Sequence, residues 1–242
     1  MNAGSAADAL RVGGLQAFTT IDFPGALAAV VFVQGCPWRC PYCHNPHLQP
    51  RHATGGPPGP SWAGLRPWLQ RRARVLDALV FSGGEPTLDP ALPAALREAR
   101  AMGYRIGLHS AGMAPRRLRA LLPLVDWVGL DVKAPLDDDA LHDRLSGVRG
   151  AARAVRASVQ ALLASGVAHE CRTTVHASLL AGGALTRMRA QLRGLGVRSW
   201  ALQACREPAG APTAGAAVTW PDEATLAELS RGFPDLVLRP AA

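Results

Sequence analysis

Three of the chain's five cysteines, Cys36, Cys40 and Cys43, stand within eight positions of the sequence. Their spacing is C-x3-C-x2-C. Thiolates are soft ligands that select iron–sulfur clusters or zinc, and three of them on one short loop can face a single metal centre. A four-iron cluster is usually held by four cysteines, so three would leave one iron open to a substrate or cofactor. The spacing therefore favours an iron–sulfur cluster with an open iron.

Three other interpretations of these cysteines are open. A structural zinc site takes four protein ligands, so it would have to recruit His44, Cys171 or Cys205. A disulfide framework disagrees with the odd number of cysteines and with an N-terminal stretch that lacks the basic start and apolar run of a secretory signal. A redox C-x-x-C formed by the last two cysteines of the loop would leave Cys36 without a role.

The motif, with Tyr42 directly before the last cysteine, resembles the signature of radical S-adenosylmethionine (SAM) enzymes. The wider segment QGCPWRCPYCHNP is similar to the activating enzymes of glycyl-radical proteins. Within that group, the segments GGLQAFTTIDFPG, FSGGEPTL, DVKAPL and RTTV resemble the activating protein of anaerobic ribonucleoside-triphosphate reductase. The resemblance runs from about Gly13 to Cys205 and so covers nearly the whole chain.

This resemblance implies two cofactors and an activity. Cys36, Cys40 and Cys43 would hold a [4Fe-4S] cluster that passes an electron to SAM, and a 5′-deoxyadenosyl radical would then abstract hydrogen from a glycine of a partner enzyme. The expected partner is anaerobic ribonucleotide reductase, with a pyruvate formate-lyase type of partner as the alternative. The electron would come from a low-potential donor such as flavodoxin or ferredoxin.

The resemblance also implies a SAM pocket at the ends of successive strands. Gly83-Gly84-Glu85 matches the family's GGE motif: glycines let the backbone approach a ligand closely, and Glu85 would add a charge-assisted hydrogen bond. Tyr42 would belong to the same pocket. One segment departs from the family, because this chain has His109-Ser110-Ala111-Gly112 where an acidic or threonine residue often precedes Asn-Gly. His109 is interpreted as a structural histidine, with a polar contact to the cofactor as the alternative.

Further cofactor-binding residues are expected on the later strands. Asp131 and Lys133 alternate along one strand and can point to the same side of it. Lys133 is the only lysine among 26 basic residues, which indicates a position where the planar guanidinium of arginine does not serve. By resemblance Lys133 lies near the SAM carboxylate, Arg172 is the second candidate for that carboxylate, and Leu202 and Gln203 would meet adenine or ribose.

Strand and helix patterns alternate along most of the chain. Strands are predicted at Ala26–Val33, Leu79–Ser82, Tyr104–Leu108, Val125–Val132, Glu170–His176 and Ser199–Ala204. Helices are predicted at Trp62–Leu76, from about Pro90, and at Arg116–Leu122, Ala151–Ala164 and Leu185–Leu195. This order predicts βαβ units and a parallel sheet. Six units fall short of the eight of a closed barrel and match the partial (β/α)6 TIM-like barrel of radical SAM enzymes. Periodicity alone leaves an open doubly wound sheet as the alternative. The partial barrel is preferred because each marked residue falls at the carboxyl end of a strand, the face where parallel α/β folds place their sites.

Three segments are expected in this α/β chain. Residues 1–25 form a lead-in with turn signals, residues 26–205 the radical SAM core, and residues 206–242 an extension with a helix at Asp222–Arg231 and a short strand at Leu236–Leu238. Loops are predicted at a linker, His52–Pro60, and at an Ala/Gly/Pro-rich stretch, Ala209–Ala217.

Composition bears on partners and location. The net charge is +8, but the basic residues are scattered and no aromatic residues interleave with them, so no nucleic-acid partner is expected. The longest apolar stretch, Ala26–Val33, is far shorter than the roughly 20 residues of a membrane helix, and a cytoplasmic location is expected. Two other functions stay open: a radical SAM enzyme acting on a small molecule, and a non-enzymatic iron–sulfur or zinc-binding interaction module.

Overall fold

The structure of the chain, a computed structural model, describes residues 4–51, 59–205, 220–231, 233 and 235–240. Most of the predicted linker His52–Pro60 and all of the stretch Ala209–Ala217 lie outside the described residues. The predicted division into lead-in, core and extension stays a prediction.

Strands and helices alternate from β2 to β7, which confirms the α/β class. The strands in the described ranges are β1 (Val12–Thr19), β2 (Ala28–Val33), β3 (Ala78–Gly83), β4 (Arg105–Ser110), β5 (Trp127–Asp131), β6 (Ala168–Val175), β7 (Ser199–Ala204) and β8 (Asp235–Arg239). The α-helices there are α1 (Trp62–Arg72), α2 (Leu92–Ala101), α3 (Pro115–Leu121), α4 (Asp139–Ser146), α5 (Ala151–Ser165), α6 (Ala184–Leu195) and α7 (Glu223–Ser230). In the part of the chain that the structure describes, no helix combines the length and apolar character needed to cross a membrane.

By their contacts the residues form two compact units. The first comprises Met1–Pro37, Asn45–Ser110 and Arg116–Gly129. The second comprises Trp38–His44, Ala111–Pro115 and Leu130–Ala242. Each unit therefore gathers segments that are distant in the sequence.

In the first unit, β2, β3 and β4 are parallel neighbours, and β1 pairs antiparallel with β2. Strand β1 was not predicted, since its sequence VGGLQAFT combines two glycines with polar residues and lacks a clear apolar alternation. Its register is irregular, with shifts after Val12 and after Gln16. Pairing with the buried β2 supplies the stability that the strand's own sequence does not indicate.

The first unit packs small and large apolar residues on one side of these strands. Phe23 belongs to a buried cluster with residues of β2, β3 and β5, and its ring centroid lies 5.7 Å from that of Trp127. A Cβ atom at Gly107 would stand 3.0 Å from the Phe23 ring. The glycine in β4 therefore makes room for the aromatic side chain that closes this core.

In the second unit, β6, β7 and β8 are parallel neighbours. Trp200 on β7 is wholly buried, and its Nε1 donates to Thr173 Oγ1 at 3.0 Å, while Thr173 Oγ1 donates to the carbonyl of Val132 at 2.8 Å. Strand β8, predicted as a short run, extends to Arg239, whose guanidinium makes two hydrogen bonds with Glu170, at 2.8 and 3.0 Å. These polar contacts fix the order of the strands around an apolar core.

Candidate functional site

Cys36 begins the cysteine loop directly after β2, within the first unit. Its backbone N–H donates to the carbonyl of Gln49 at 2.9 Å, and that of Gly35 donates to Leu48 at 2.8 Å. The Gln34 side chain donates to two further carbonyls of the 47–50 segment, at 2.9 and 2.7 Å. Gly35 has a φ of +105°, a backbone conformation that is sterically unfavourable for residues with a Cβ atom. Four hydrogen bonds thus set the position of the half-buried Cys36.

The GGE turn packs against the start of the same loop, again within the first unit. Gly83 has a φ of +115°, and an added Cβ would stand 2.4 Å from the Val33 nitrogen. At Gly84 an added Cβ would stand 2.5 Å from the carbonyl oxygen of Gly35. The backbone N–H of Glu85 donates to that same oxygen at 2.9 Å. Only glycine permits this close approach of two backbone segments.

Glu85 is buried, with 1% of its surface exposed. Its Oε1 accepts hydrogen bonds from the Thr87 nitrogen at 3.2 Å, from Thr87 Oγ1 at 2.6 Å and from Ser110 Oγ at 2.9 Å. Sequence reasoning gave neither Thr87 nor Ser110 this role. An acidic residue two positions before a threonine does favour such a local hydrogen bond. Ser110, part of the departing segment, therefore helps to hold the carboxylate of the GGE motif.

His109 has its two ring nitrogens engaged within the first unit. Nε2 donates to the carbonyl of Asp22 at 2.9 Å, which leaves Nδ1 to accept a hydrogen bond from Ser82 Oγ at 3.2 Å. The ring also meets the edge of Trp127, with 5.7 Å between centroids. This surrounding agrees with the interpretation of His109 as a structural histidine.

Cys40 and Cys43 lie in the second unit, where helix α4 holds their segment. The backbone N–H of Arg39 donates to the carbonyl of Ser146 at 2.7 Å, and that of Cys43 donates to Cys40 at 3.2 Å. The same helix carries the wholly buried His142, whose Nε2 donates to the carbonyl of Ala134 at 2.7 Å. Burial raises the pKa of the Cys40 thiol, although nearby positive charge opposes the rise.

Lys133 lies over two aromatic rings of the second unit. Its Nζ is 5.6 Å from the ring centroid of Tyr42 and 6.0 Å from that of Trp38, within the range of cation–π attraction. Only 11% of the lysine side chain is exposed. Burial opposes its charge, but the interactions with Tyr42 and Asp131 outweigh burial and raise the pKa of the ammonium. Lys133 is therefore a cation in a confined setting, beside two aromatic rings and the carboxylate of Asp131.

Two cations converge on Asp131 at the end of β5. Lys133 Nζ lies 3.4 Å from Oδ2, and Arg172 places Nη2 at 3.1 Å and Nε at 3.2 Å from Oδ1. The strand ends at Asp131, so Lys133 lies two residues beyond it, whereas the sequence predicted a strand that continued to Val132. Among these three side chains positive charge exceeds negative, which suits an anionic ligand.

Tyr42 is buried, and its ring stacks on His176, which sequence reasoning did not single out. The two ring centroids are 5.3 Å apart and the rings are inclined by 28°. Burial raises the pKa of Tyr42 to about 12. Its hydroxyl is buried and has no hydrogen-bond partner among the described residues. Two further predicted residues lie on β7. Gln203 is half-buried, opposite Thr174 in the strand register, and Leu202 is wholly buried, opposite Thr173.

A ready-made metal site is not found among the described residues, where no group of three or more His, Cys, Asp or Glu side chains is placed to hold a metal ion. The cysteines Cys36, Cys40 and Cys43 thus do not form such a group in the structure. The binding of a metal can bring its ligands together, because the free energy of binding contributes to folding of the site. Their role as cluster ligands stays a prediction.

Other features suit the cofactors that the sequence predicted. In the first unit, the close backbone contact at Gly83-Gly84 holds the GGE turn against the segment that leads into Cys36. In the second unit, the buried Tyr42 hydroxyl lacks a partner among the described residues, and Lys133 offers a confined cation. Three thiols in one short loop are the donor set that iron–sulfur clusters prefer.

Comparison with known proteins places the chain in a family. The sequence model of the Radical SAM superfamily matches residues 30–180. The chain belongs to the radical SAM superfamily. Members of this superfamily use a four-iron cluster and SAM, the two cofactors that the cysteine motif predicted.

Two curated relatives carry more specific names. A protein of Methanocaldococcus jannaschii, given the provisional name of glycyl-radical enzyme activating enzyme, is 33% identical over 129 residues, which are 52% of this chain and 51% of the relative. The pyruvate formate-lyase-activating enzyme of Clostridium pasteurianum is 32% identical over 133 residues, which are 53% and 54% of the two chains. The chain thus spans about half the length of these relatives.

Solved structures share the fold. QueE from Escherichia coli aligns with a TM-score of 0.54 at 16% identity, covering 96% of this chain and 94% of the other. SuiB from Streptococcus suis, in a structure with SAM bound, aligns with a TM-score of 0.58 at 15% identity, covering 86% and 48%. The predicted fold class, α/β of the radical SAM type, is confirmed.

Proposed function

We propose that this chain is an activase that reductively cleaves SAM and abstracts hydrogen from a glycine of a partner enzyme. The names of the two curated relatives support the assignment of this chain to the activases. The observation that carries the proposal is the setting of Lys133, whose ammonium lies over Tyr42, the residue before the last cysteine of the motif.

Lys133 would bind the carboxylate of SAM. A compact ammonium with 11% of its side chain exposed is desolvated, and a charge-assisted hydrogen bond is strongest in such surroundings. Asp131 holds Lys133 at 3.4 Å and Arg172 at about the same distance from its other oxygen. The carboxylate of Asp131 therefore orients both cations toward an anionic ligand, and Arg172 would be the second contact to it.

Other residues would shape the rest of the SAM pocket. Tyr42 offers an apolar ring face and a buried hydroxyl that has no hydrogen-bond partner in the described part of the chain. The backbone at Gly83 and Gly84 would contact the ligand, with the Glu85 carboxylate held by hydrogen bonds that include those from Thr87 and Ser110. Gln203 would meet the adenine or ribose. These groups orient the ligand and exclude water from it.

Cys36, Cys40 and Cys43 would hold the [4Fe-4S] cluster. When bound, the cluster and SAM together supply one-electron cleavage of the sulfonium to methionine and the carbon radical that takes a hydrogen atom from the glycine. A low-potential donor such as flavodoxin or ferredoxin would provide the electron. The thiolates would supply the negative charge for the metal.

The proposed partner is anaerobic ribonucleoside-triphosphate reductase, in the cytoplasm. The support is the resemblance of the segments GGLQAFTTIDFPG, FSGGEPTL, DVKAPL and RTTV to the activating protein of that enzyme. A partner of the pyruvate formate-lyase type is the second candidate, because one of the two relatives is named for that activity.

Activation of the partner can be measured directly. The reconstituted chain, a reductant and SAM are mixed with each candidate glycyl-radical protein, and the doublet of a glycyl radical is sought by electron paramagnetic resonance. We expect a radical on the reductase and a weaker one or none on the lyase. A radical on the lyase alone would show that the lyase, and not the reductase, is the partner. Turnover of SAM with no radical on either would favour a radical SAM enzyme that acts on a small molecule.

A further inference from the structure

We infer that His176 is a positioning residue that sets the orientation of Tyr42 and thereby of the SAM-binding wall. This inference deepens the proposed function and depends on it for the ligand. His176 follows β6 directly, and its ring stacks on Tyr42 with 5.3 Å between centroids and an inclination of 28°. Such offset stacking is the favourable geometry for two aromatic rings.

The imidazole of His176 is itself fixed by Ser178. The backbone N–H of Ser178 donates to Nδ1 at 3.2 Å, so Nδ1 is an acceptor and the ring proton is on Nε2. Ser178 Oγ then donates to the same nitrogen at 2.7 Å. Two donors on one nitrogen hold the imidazole plane at the start of the short helical turn Ala177–Leu179. The face that His176 presents to Tyr42 is therefore held in one orientation.

We infer that Tyr42 depends on this stacking because no hydrogen bond from the described residues holds its ring. Its hydroxyl is buried without a partner among the described residues. The chain's other tyrosine differs, since Tyr104 Oη donates to the carbonyl of Leu69 at 2.7 Å. The ring of Tyr42 contacts the imidazole of His176 and the ammonium of Lys133. Removing the imidazole would free the ring to turn away from its position under Lys133.

A readout without any cofactor tests the orientation of the ring. With only two tyrosines in the chain, incorporation of 3-fluorotyrosine gives two fluorine signals, which Tyr42→Phe assigns. In the cofactor-free protein we expect His176→Ala to shift and broaden the Tyr42 signal and to leave that of Tyr104 in place. His176→Phe, which keeps an aromatic face, should retain a single sharp Tyr42 signal, and Ser178→Ala should give an intermediate broadening.

A second readout tests the consequence for the ligand. Binding of S-adenosylhomocysteine to the anaerobically reconstituted protein is measured by calorimetry. We expect His176→Ala to weaken binding about threefold to tenfold, the change in affinity that corresponds to the usual free energy of an aromatic pair. His176→Phe should restore most of the lost affinity. His169→Ala is the matched control, because the ring of this β6 histidine hydrogen-bonds to the nearby carbonyl of Val167, at 2.9 Å.

Several results would overturn the inference. An unmoved Tyr42 signal in His176→Ala would show that the imidazole does not hold the ring. Binding by His176→Phe as weak as by His176→Ala would show that an imidazole nitrogen, rather than the stacked face, is what matters. If the unaltered protein itself fails to bind S-adenosylhomocysteine, the proposed function falls, while the fluorine signals still decide the positioning of Tyr42.

Discussion

The Nζ of Lys133, the only lysine in the sequence, lies 5.6 Å from the ring centroid of Tyr42, the residue before the last cysteine of the C-x3-C-x2-C motif. The two residues are far apart in the chain but share one compact unit. Their contact links the segment proposed to bind the iron–sulfur cluster with the cation proposed to bind SAM.

The first prediction concerns the identity of that cation. Lys133→Arg should weaken binding of S-adenosylhomocysteine to the reconstituted protein at least tenfold, because the larger planar guanidinium does not fit where only 11% of the lysine side chain is exposed. Lys133→Met should weaken it as much. The control is Arg187→Met, which removes a cation with 45% of its side chain exposed, paired with Asp138. Unchanged binding by Lys133→Arg would contradict the role given to the ammonium.

The second prediction concerns the close approach of backbone at the GGE turn. Gly84→Ala should lower the free energy of unfolding by about 2 kcal/mol or more, because the added Cβ would stand 2.5 Å from the oxygen of Gly35, a backbone atom that cannot move aside cheaply. Urea unfolding measures the change. Gly194→Ala is the control, since nothing lies within 4 Å of its added Cβ and alanine favours the helix, by about 0.5–1 kcal/mol. Equal stability of the two variants would argue against a tight turn.

The third prediction concerns acid stability. Burial works to raise the pKa of Glu98, but hydrogen bonds from Ser5, Trp62 and Arg66 outweigh it and lower the pKa below its usual 4.5. A carboxylate whose pKa is lower in the folded state stabilises the fold fully at neutral pH. That stabilisation begins to fade near the unfolded pKa and is lost as the pH falls through the folded value.

The test compares Glu98→Gln with the unaltered protein. At pH 7 the variant should be less stable by about 1–2 kcal/mol, since it loses charge-assisted hydrogen bonds, including the 2.8 Å bond from Trp62 Nε1. The difference in unfolding free energy should shrink as the pH falls below about 4.5. Glu223→Gln on α7, whose parent residue is exposed, serves as the control. A difference that stays constant across this range would contradict the account of Glu98.

The sequence predicted the fold where local pattern decides the structure. Strand β7 has the predicted bounds Ser199–Ala204, because a buried apolar run bounded by polar residues leaves few alternatives. Strand β1 was missed since two glycines and a glutamine weaken its pattern, and only the pairing with β2 creates it. The extended pairing in β8 likewise depends on a neighbour, with Arg239 joined to Glu170.

The candidate site could be predicted in its residue types but not in its supporting contacts. The cysteine spacing and the single lysine identify chemistry by themselves. The stack of His176 on Tyr42, and the donation from Ser110 to Glu85, join residues that no local pattern relates. Such contacts are set by tertiary packing, so the sequence indicates the chemical groups and the structure gives their neighbours.

The central claim is that this chain binds a [4Fe-4S] cluster through its three clustered cysteines and uses it to cleave SAM. Anaerobic reconstitution with iron and sulfide, followed by reduction and addition of SAM, tests this directly by electron paramagnetic resonance and by assay of 5′-deoxyadenosine. We predict a cluster signal that shifts when SAM is added and formation of deoxyadenosine, with both lost in Cys40→Ala. A protein that instead binds one zinc ion per chain and does not respond to SAM would contradict the claim.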